Sequence, residues 1–379
     1  MNSVSVFTEW DPLEEIIVGR AANIRVPMAE PGLWAVEYKE QCALPDIPSG
    51  PHCQQIVEET EEDLTDLVET FEDLGVVVKR PEPMDHAKVF ATPDWQSDGQ
   101  QNYCPRDLFV AVGNWIIEAP MTLRSRQFET LAYRAIMLSY LKSGCRWISA
   151  PKPRLRDEMY VLDAVANGHL SGDAENRAPG TDASHSNGQA SLDDQYGPLS
   201  RVIREHEPVF DAANILRIGR DILYLVSDTG NLLGAQWLQT ILGSEFKVHP
   251  YENVYNGSHV DTTITLVRPG LVVANAERVG PHNLPDLFAG WDVIYLDEVV
   301  DIGFSGPCTT SKWIGMNFMM VNQDLAIVDA TQTPLIRELA KRKVDVIPLR
   351  LRHARTLAGG FHCVTLDVRR RGGLETYCA

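Results

Sequence analysis

Two hydrophobic patterns alternate along the chain. Stretches with apolar residues every three or four positions, typical of amphipathic helices, run into short apolar segments typical of buried strands. The helical stretches are residues 56–74, 128–141, 237–242, 284–288 and 335–340, and the strands behind them are residues 76–78, 146–148, 246–248, 293–296 and 344–349. A glycine follows each of the first four helical stretches, where it can end the helix. The pattern predicts five helix–strand units.

A predicted β-hairpin precedes each of the last four units. Short apolar runs flank residues that favour turns, such as Gly113-Asn114 and Pro269-Gly270. The paired runs are residues 108–112 with 115–118, 215–218 with 222–226, 263–267 with 271–274, and 318–321 with 325–328. A unit of hairpin, helix and strand repeated about five times favours an α/β propeller whose loops converge on one axis. Independent domains are the alternative, although no linker-like stretch divides the chain in half.

One segment departs from this pattern. Residues 167–196 are rich in Gly, Ser, Asn and Asp and almost free of large apolar side chains. Such a segment buries too little surface to offset the entropy lost on ordering. We therefore expect a single domain over residues 1–379 with a flexible polar insertion at residues 167–196, in which His185 is solvated.

Composition and charge exclude several classes of function. The 379 residues include 52 acidic and 34 basic side chains, a net charge of −18, which argues against a nucleic-acid-binding surface. No apolar run approaches the ~20 residues of a membrane span. The first residues, MNSVSVFTEWDPLEE, lack the basic and apolar regions of a secretory signal. The seven cysteines form no CxxC pair, so we expect reduced thiols, a cytoplasmic protein and no metal site.

Cys363 is the cysteine with the most suggestive neighbours, in the segment LAGGFHC. Gly359-Gly360 permits unusual backbone torsions and the close approach of a ligand, so Cys363 is a candidate nucleophile. The alternative is a buried cysteine at a strand edge. His362 is adjacent in sequence and would point to the opposite face of a strand, which makes it a poor partner for the thiol.

His259 is a better candidate partner, in the segment GSHVDTT. His259 and Asp261 are two residues apart, which places both side chains on one face of a strand. An imidazole beside a carboxylate can perform acid–base chemistry. The alternative is a surface pair on an edge strand.

Further polar candidates lie at the ends of predicted strands. Asp107 and Asp211 interrupt apolar surroundings, although turn or helix capping would explain both equally well. Arg278 follows the hairpin after His259, and Thr310-Ser311 precede another hairpin. In a closed propeller such strand ends can meet on one side of the axis. The chain has no HExxH, P-loop, GxSxG or complete GxGxxG motif.

Several long segments together resemble the amidinotransferase family, which includes the arginine:glycine and the inosamine-phosphate amidinotransferases. The resemblance spans nearly the whole chain, and TPDWQSDG and LVSDTGNLLGAQWLQ favour the inosamine-phosphate branch. It implies the α/β pentein-like fold, a five-bladed pseudo-symmetric ββαβ propeller. The segments are TEWDPLEEIIVG, IIEAPMTLRSRQFE, PVFDAANILRIGRDI, SHVDTT, TSKWIGMN and LAGGFHCVTLDVRRRG.

The resemblance implies a role for each candidate residue. Cys363 matches the family's nucleophile, and His259 and Asp211 match the acid–base histidine and its partner carboxylate. The remaining matches are donor-binding residues. Asp107 and Asp261 match the carboxylates that hold the guanidinium, and Arg278, Thr310 and Ser311 match the residues at the donor's α-carboxylate and α-amino end.

The implied reaction moves the amidino group of L-arginine to a small amine through an amidino-cysteine and releases L-ornithine, without a cofactor. We expect the cationic His259 and the substrate cation to favour the Cys363 thiolate. Small residues at Asn256-Gly257-Ser258 favour an acceptor larger than glycine, such as an aminocyclitol phosphate in antibiotic biosynthesis. The alternatives are an amino acid or amine acceptor in toxin biosynthesis, an arginine-deiminase-like hydrolase, and a non-catalytic propeller. The family also implies a homodimer.

Overall fold

Five three-stranded sheets dominate the computed structural model, which describes residues 3–162 and 201–378. In each sheet two strands are antiparallel and a third runs parallel to the middle strand. Four sheets form from consecutive strands. They are Phe109–Val112, Trp115–Glu118 and Arg146–Ser149; Ile215–Ile218, Asp221–Leu225 and Lys247–Tyr251; Ile264–Arg268, Leu271–Asn275 and Asp292–Leu296; and Met319–Asn322, Leu325–Asp329 and Asp345–Leu349. The predicted hairpins and following strands are confirmed, with their ends shifted by a few residues.

The fifth sheet joins the two ends of the chain. Its middle strand, Leu13–Val18, is antiparallel to Thr365–Arg370 and parallel to Val77–Lys79. Of these three strands the sequence predicted only Val77–Lys79, because the two antiparallel partners are separated by almost the whole chain. All five sheets therefore share one strand order, although one of them is assembled from distant segments.

Four longer helices form where the apolar pattern predicted them, and the last three follow hairpins. They are Gln54–Asp73, Arg134–Lys142, Leu232–Leu242 and Thr333–Lys341. The prediction of a helix at residues 284–288 is wrong. This segment forms only the 3₁₀ turn Asp286–Phe288, because Pro285 precedes it and Gly290, in the left-handed region at φ +79°, ends it.

Shorter elements connect these units. They are the helices Pro31–Leu33 and Pro105–Leu108, the π-helix Trp34–Tyr38, the 3₁₀ helices Leu44–Asp46, Arg124–Arg126, Glu129–Tyr133, Asp157–Met159, Ala212–Asn214, Val260–Thr262 and Lys312–Met316, and the strand pairs Arg25–Val26 with Gly50–Pro51 and Phe90–Ala91 with Gln96–Ser97. The predicted insertion at residues 167–196 lies outside the described residues. No described helix combines the length and apolar character that crossing a bilayer requires.

Four short helical turns lead directly into the hairpins and position the candidate site. These entry turns are Pro105–Leu108, Ala212–Asn214, Val260–Thr262 and Lys312–Met316. Each turn contacts the next one along the chain, and the first also contacts the C-terminal strand Thr365–Arg370. Polar side chains carried on or beside these turns therefore come close together although they are far apart in sequence.

Candidate active site

A cavity of about 1020 Å³ is lined by residues on or beside the entry turns. Every residue to which the family resemblance assigns a role lines this cavity. These are Asp107, Asp211, His259, Asp261, Arg278, Thr310, Ser311 and Cys363. The fold thus brings together a thiol, an imidazole, several carboxylates, a guanidinium and two hydroxyls.

Cys363 lies in a turn just before the strand Thr365–Arg370 and is held by two side chains. Its backbone N–H donates to Oδ1 of Asn317 (3.1 Å), and Nδ2 of Asn317 lies 3.2 Å from its sulfur. The thiol donates to Oδ2 of Asp261 over 3.3 Å. The sulfur is therefore fixed between an amide and a carboxylate at the cavity wall.

The expected thiolate is not favoured by the protein alone. Burial raises the pKa of Cys363 well above its ordinary value, and the negative charges of Asp261 and Asp107 add to this rise. The sequence-based expectation relied on the cationic His259 together with the substrate cation, and it overlooked the carboxylate in direct contact with the sulfur. An additional positive charge beside Cys363 is needed to favour ionisation.

His259 is hydrogen-bonded to Asp211, with Nε2 3.1 Å from Oδ2. The other oxygen of Asp211 accepts from the backbone N–H (3.1 Å) and the hydroxyl (2.9 Å) of Thr122, so this carboxylate is oriented on both sides. Asp211 is the residue immediately before the entry turn Ala212–Asn214, but its side chain makes no capping hydrogen bond to the turn. The capping alternative is therefore wrong for Asp211.

The predicted strand at His259 and Asp261 is also wrong. His259 is extended and the chain then enters the 3₁₀ turn Val260–Thr262. Both side chains nevertheless line the cavity. The entry turn, rather than strand alternation, brings them to the same site.

Carboxylates around His259 keep its ring cationic. Burial lowers the pKa of His259, but Asp107, Asp211 and Asp261 together outweigh this effect and raise the pKa to about 9. Nδ1 lies 3.6 Å from Oδ1 of Asp107. At neutral pH the ring therefore holds a proton that it can donate.

Two carboxylates of the cavity each have an oxygen without a donor. Oδ1 of Asp107 and Oδ1 of Asp261 are buried and accept no hydrogen bond within residues 3–162 and 201–378. Their other oxygens are occupied, by Arg126 (2.7 Å) for Asp107 and by His362 (2.9 Å) and Cys363 for Asp261. Burial raises the pKa of Asp107, as expected for a carboxylate whose charge is incompletely balanced. These oxygens are suited to a donor-rich cation.

Arg278 forms a second polar region of the cavity. Its guanidinium lies over the ring of Tyr255, 3.8 Å from the centroid. It donates to the hydroxyls of Thr262 (3.0 Å) and Ser311 (3.1 Å), which fixes its orientation. Thr310 lines the cavity beside Ser311. A fixed guanidinium next to hydroxyls can bind a carboxylate.

The structure gives a different reason from the predicted one for glycine at the two positions before Phe361. Neither Gly359 nor Gly360 has a positive φ. A Cβ at Gly359 would lie 2.5 Å from the ring of Tyr103, and one at Gly360 would lie 2.6 Å from Asn317. The glycines therefore allow close packing against protein side chains, including the one that holds Cys363.

Several residues that support the site were not identified from the sequence. Asn317, Arg126, Thr122 and Tyr255 orient Cys363, Asp107, Asp211 and Arg278, respectively. The available signal was a polar residue close to the end of an apolar strand, since Arg126 follows Trp115–Glu118 and Asn317 precedes Met319–Asn322. Within the described part of the chain, no group of three or more His, Cys, Asp or Glu side chains could hold a metal ion.

Comparisons with known proteins find amidinotransferases among the relatives with substantial sequence identity. No family model matches the chain. The chain is 50% identical to inosamine-phosphate amidinotransferase 1 of Streptomyces glaucescens over 379 residues, covering 100% of this chain and 99% of that protein. The solved inosamine-phosphate amidinotransferase of Streptomyces griseus matches with a TM-score of 0.89 and 48% identity over 100% of both chains. A solved amidinotransferase from Microseira wollei, in a saxitoxin biosynthetic pathway, matches with a TM-score of 0.83 and 32% identity over 99% of both chains.

Proposed function

The chain belongs to the amidinotransferase family, and on that premise we propose that it transfers the amidino group of L-arginine to an amine through an amidino-Cys363 intermediate. The observation that supports this most directly is the pair of donor-free oxygens on Asp107 and Asp261, in the cavity that contains Cys363. A guanidinium has five N–H donors in one plane and a permanent charge. Bound between two carboxylates, it would present its central carbon to the sulfur.

The other end of the donor fits the second polar region. Arg278 is available for the α-carboxylate of arginine, and the hydroxyls of Thr310 and Ser311 for its α-carboxylate and α-amino groups. The stack on Tyr255 and the hydrogen bonds to Thr262 and Ser311 fix Arg278 before a ligand arrives. Such pre-organisation lowers the entropy lost on binding.

The substrate cation also supplies the charge that Cys363 needs. Its arrival beside the thiol favours loss of the thiol proton to solvent. The thiolate attacks the guanidinium carbon, forming a C–S bond. The bond from that carbon to Nε of arginine breaks, and His259 protonates this nitrogen, which becomes the δ-amino nitrogen of ornithine. Ornithine leaves and a cationic amidino-cysteine remains. An acceptor amine then attacks the same carbon, His259 takes its proton, and the thiolate is regenerated.

An aminocyclitol phosphate is the acceptor we propose. The relatives from Streptomyces are named for an inosamine phosphate, and the cavity of about 1020 Å³ can accommodate a sugar-sized molecule. Ser258 leaves space on the cavity wall, whereas Gly257 is explained by packing, since a Cβ there would lie 2.2 Å from Tyr255. A different amine acceptor is the second candidate, because the Microseira wollei enzyme belongs to a toxin pathway.

We also propose the five-bladed propeller arrangement, with the protein acting in the cytoplasm as a homodimer. The repeated strand order, the contacts between successive entry turns and the joined chain ends support five blades around one axis. The dimer rests on family membership. Size-exclusion chromatography with light scattering tests it, and a monomer at working concentration would contradict it.

Cys363→Ala tests the covalent step. We expect no ornithine release and no protein label from arginine carrying a radiolabelled amidino carbon, while the melting temperature stays near that of the wild type. Cys145→Ala is the matched control, because Cys145 is also buried, its thiol donates to the backbone carbonyl of Asn114, and it does not line the cavity. Retained label in Cys363→Ala would remove Cys363 from the reaction.

A panel of second substrates tests the class of reaction and the acceptor. Arginine is incubated with scyllo-inosamine phosphate, glycine, another amine or no acceptor, and ornithine and citrulline are measured. We expect ornithine release to be fastest with the aminocyclitol phosphate. Citrulline formed without an acceptor would indicate a hydrolase, and turnover with glycine alone would replace the proposed acceptor.

A further inference from the structure

His362 links the candidate site to the protein interior. Its Nδ1 lies 2.9 Å from Oδ2 of Asp261, and its Nε2 lies 3.4 Å from Oε2 of Glu9. The ring is buried and does not line the cavity. The sequence placed His362 on the face opposite Cys363, but residues 361–364 form a turn, so both side chains reach the same oxygen of Asp261.

The interior side of His362 is rigid. Glu9 accepts from Nε (2.7 Å) and Nη2 (2.6 Å) of Arg217, which holds its carboxylate in one orientation. The backbone carbonyl of His362 accepts from Nε of Arg106 over 3.1 Å, and its backbone N–H donates to Oδ1 of Asn317 over 2.9 Å. Both the ring and the main chain of His362 are therefore fixed.

This arrangement determines which oxygen of Asp261 remains available. Oδ2 accepts from His362 and from the Cys363 thiol, whereas Oδ1 has no donor among the described residues. A carboxylate held by a single weak thiol hydrogen bond could rotate and exchange its oxygens. The bond from Nδ1 prevents this exchange. Burial raises the pKa of Asp261, but the hydrogen bond and charge of His362, with smaller contributions from His259 and Asn317, bring it below its ordinary value.

We propose that His362 is a positioning residue, which fixes Asp261 so that Oδ1 faces the guanidinium of the donor while Oδ2 holds the thiol. This role rests on the proposed arginine-dependent reaction. It acts on donor binding through Asp261, without contact between His362 and the reacting atoms. Loss of the bond from Nδ1 should therefore weaken arginine binding more than it slows the bound complex.

Two substitutions by amide side chains test the roles of the two ring nitrogens of His362 separately. In His362→Asn the amide nitrogen takes the position of Nδ1, and in His362→Gln it takes the position of Nε2. We expect His362→Gln to raise the KM for arginine about 10-fold, with kcat per competent site within about threefold of the wild type, as loss of a charge-assisted hydrogen bond implies. His362→Asn should keep KM within about threefold. His353→Gln, at a histidine bonded to Glu59 outside the cavity lining, is the matched control.

The measurements distinguish positioning from folding and from the proposed function itself. Competent sites are counted by covalent label at saturating arginine, so a partly unfolded variant changes the number of sites and not KM. Equal KM values for the Asn and Gln variants, or a 10-fold rise in His362→Asn, would overturn the role of Nδ1. If His362→Gln does not fold, the KM of His362→Asn for arginine alone decides whether Nδ1 has this role. Absence of ornithine release by the wild type would instead refute the proposed function.

Discussion

Two clusters of buried charge lie on either side of His362, and they differ in how completely their carboxylates are hydrogen-bonded. We call them the interior cluster and the cavity cluster. The interior cluster is Glu9, Arg106, Arg217, Asp367 and Arg370, and the cavity cluster is Asp107, Arg126, Asp211, His259 and Asp261. Both are rich in acids and bases, so composition alone does not distinguish them.

In the interior cluster every carboxylate oxygen has a donor. Asp367 accepts from Arg106, Arg217 and Arg370, and the charges of these residues outweigh burial and hold its pKa well below the ordinary value. In the cavity cluster Asp107 keeps one oxygen without a donor, and burial raises its pKa. The comparison teaches that the carboxylates of the interior cluster are fully hydrogen-bonded within the protein, whereas Asp107 and Asp261 at the cavity each keep one oxygen that a ligand can reach.

The largest expected effect is on stability, in Asp367→Asn. The substitution leaves three guanidinium groups facing one oxygen and a neutral amide, in the interior between the first and last strands of the chain. Removing one partner of a buried charge network costs about 3–5 kcal/mol. We expect the urea midpoint of unfolding to fall accordingly. An unchanged midpoint would show that the interior cluster does not stabilise the fold.

The sequence predicted the repeated units because each hairpin, helix and strand is local. It failed where distant segments define the structure, as for the strand pair formed by Leu13–Val18 and Thr365–Arg370. It also failed at residues 284–288, where an apolar pattern too short for a helix became a single turn.

The site residues could be selected from the sequence because chemically active side chains recur at strand entrances and match a known family. Their supporting residues could not. Asn317 and Arg126 matter through contacts with Cys363 and Asp107, which lie far away along the chain. The ionisation of Cys363 likewise depends on burial and on Asp261, neither of which is visible in a linear sequence.

The second largest expected effect is on the pH dependence of stability, and it tests the cavity cluster through His259. Its folded pKa of about 9 lies above the ~6.5 of an unfolded histidine. A raised pKa stabilises the fold fully below pH 6.5, and this stabilisation is lost as pH rises through 9. The shift corresponds to up to about 3 kcal/mol. We expect the wild type to lose more stability than His259→Gln between pH 7 and 10, measured by urea unfolding at each pH.

Other groups titrate near the same interval. Burial raises the pKa of Glu37 and of Glu129 to about 7, so these carboxyls change mostly below the chosen pH interval. Burial lowers the pKa of Lys152 to about 8, within the interval, but Lys152 is present in both proteins and cancels in their difference. The charge of His259 lowers the pKa of Glu37, so Glu37 titrates at higher pH in the His259→Gln variant and reduces the difference between the two curves. Parallel stability curves for the two proteins above pH 7 would mean that the carboxylates around His259 do not hold its proton.

The smallest change in free energy is expected for Asp107→Asn, and it is the most diagnostic of the three. It makes the same substitution in the cavity cluster that Asp367→Asn makes in the interior cluster. The amide oxygen can still accept from Arg126, while the amide nitrogen would direct its N–H groups toward the guanidinium of the bound arginine. We expect the KM for arginine to rise about 10-fold. Asp107→Asn removes one carboxylate partner of Arg126 and of His259, so we expect the unfolding midpoint to fall, but by less than in Asp367→Asn, because Asp107 has a donor-free oxygen and a raised pKa whereas Asp367 is fully hydrogen-bonded. A midpoint that falls as far as in Asp367→Asn, with unchanged KM, would show that Asp107 serves the fold, and that a donor-free oxygen is not a sign of a binding site in this protein.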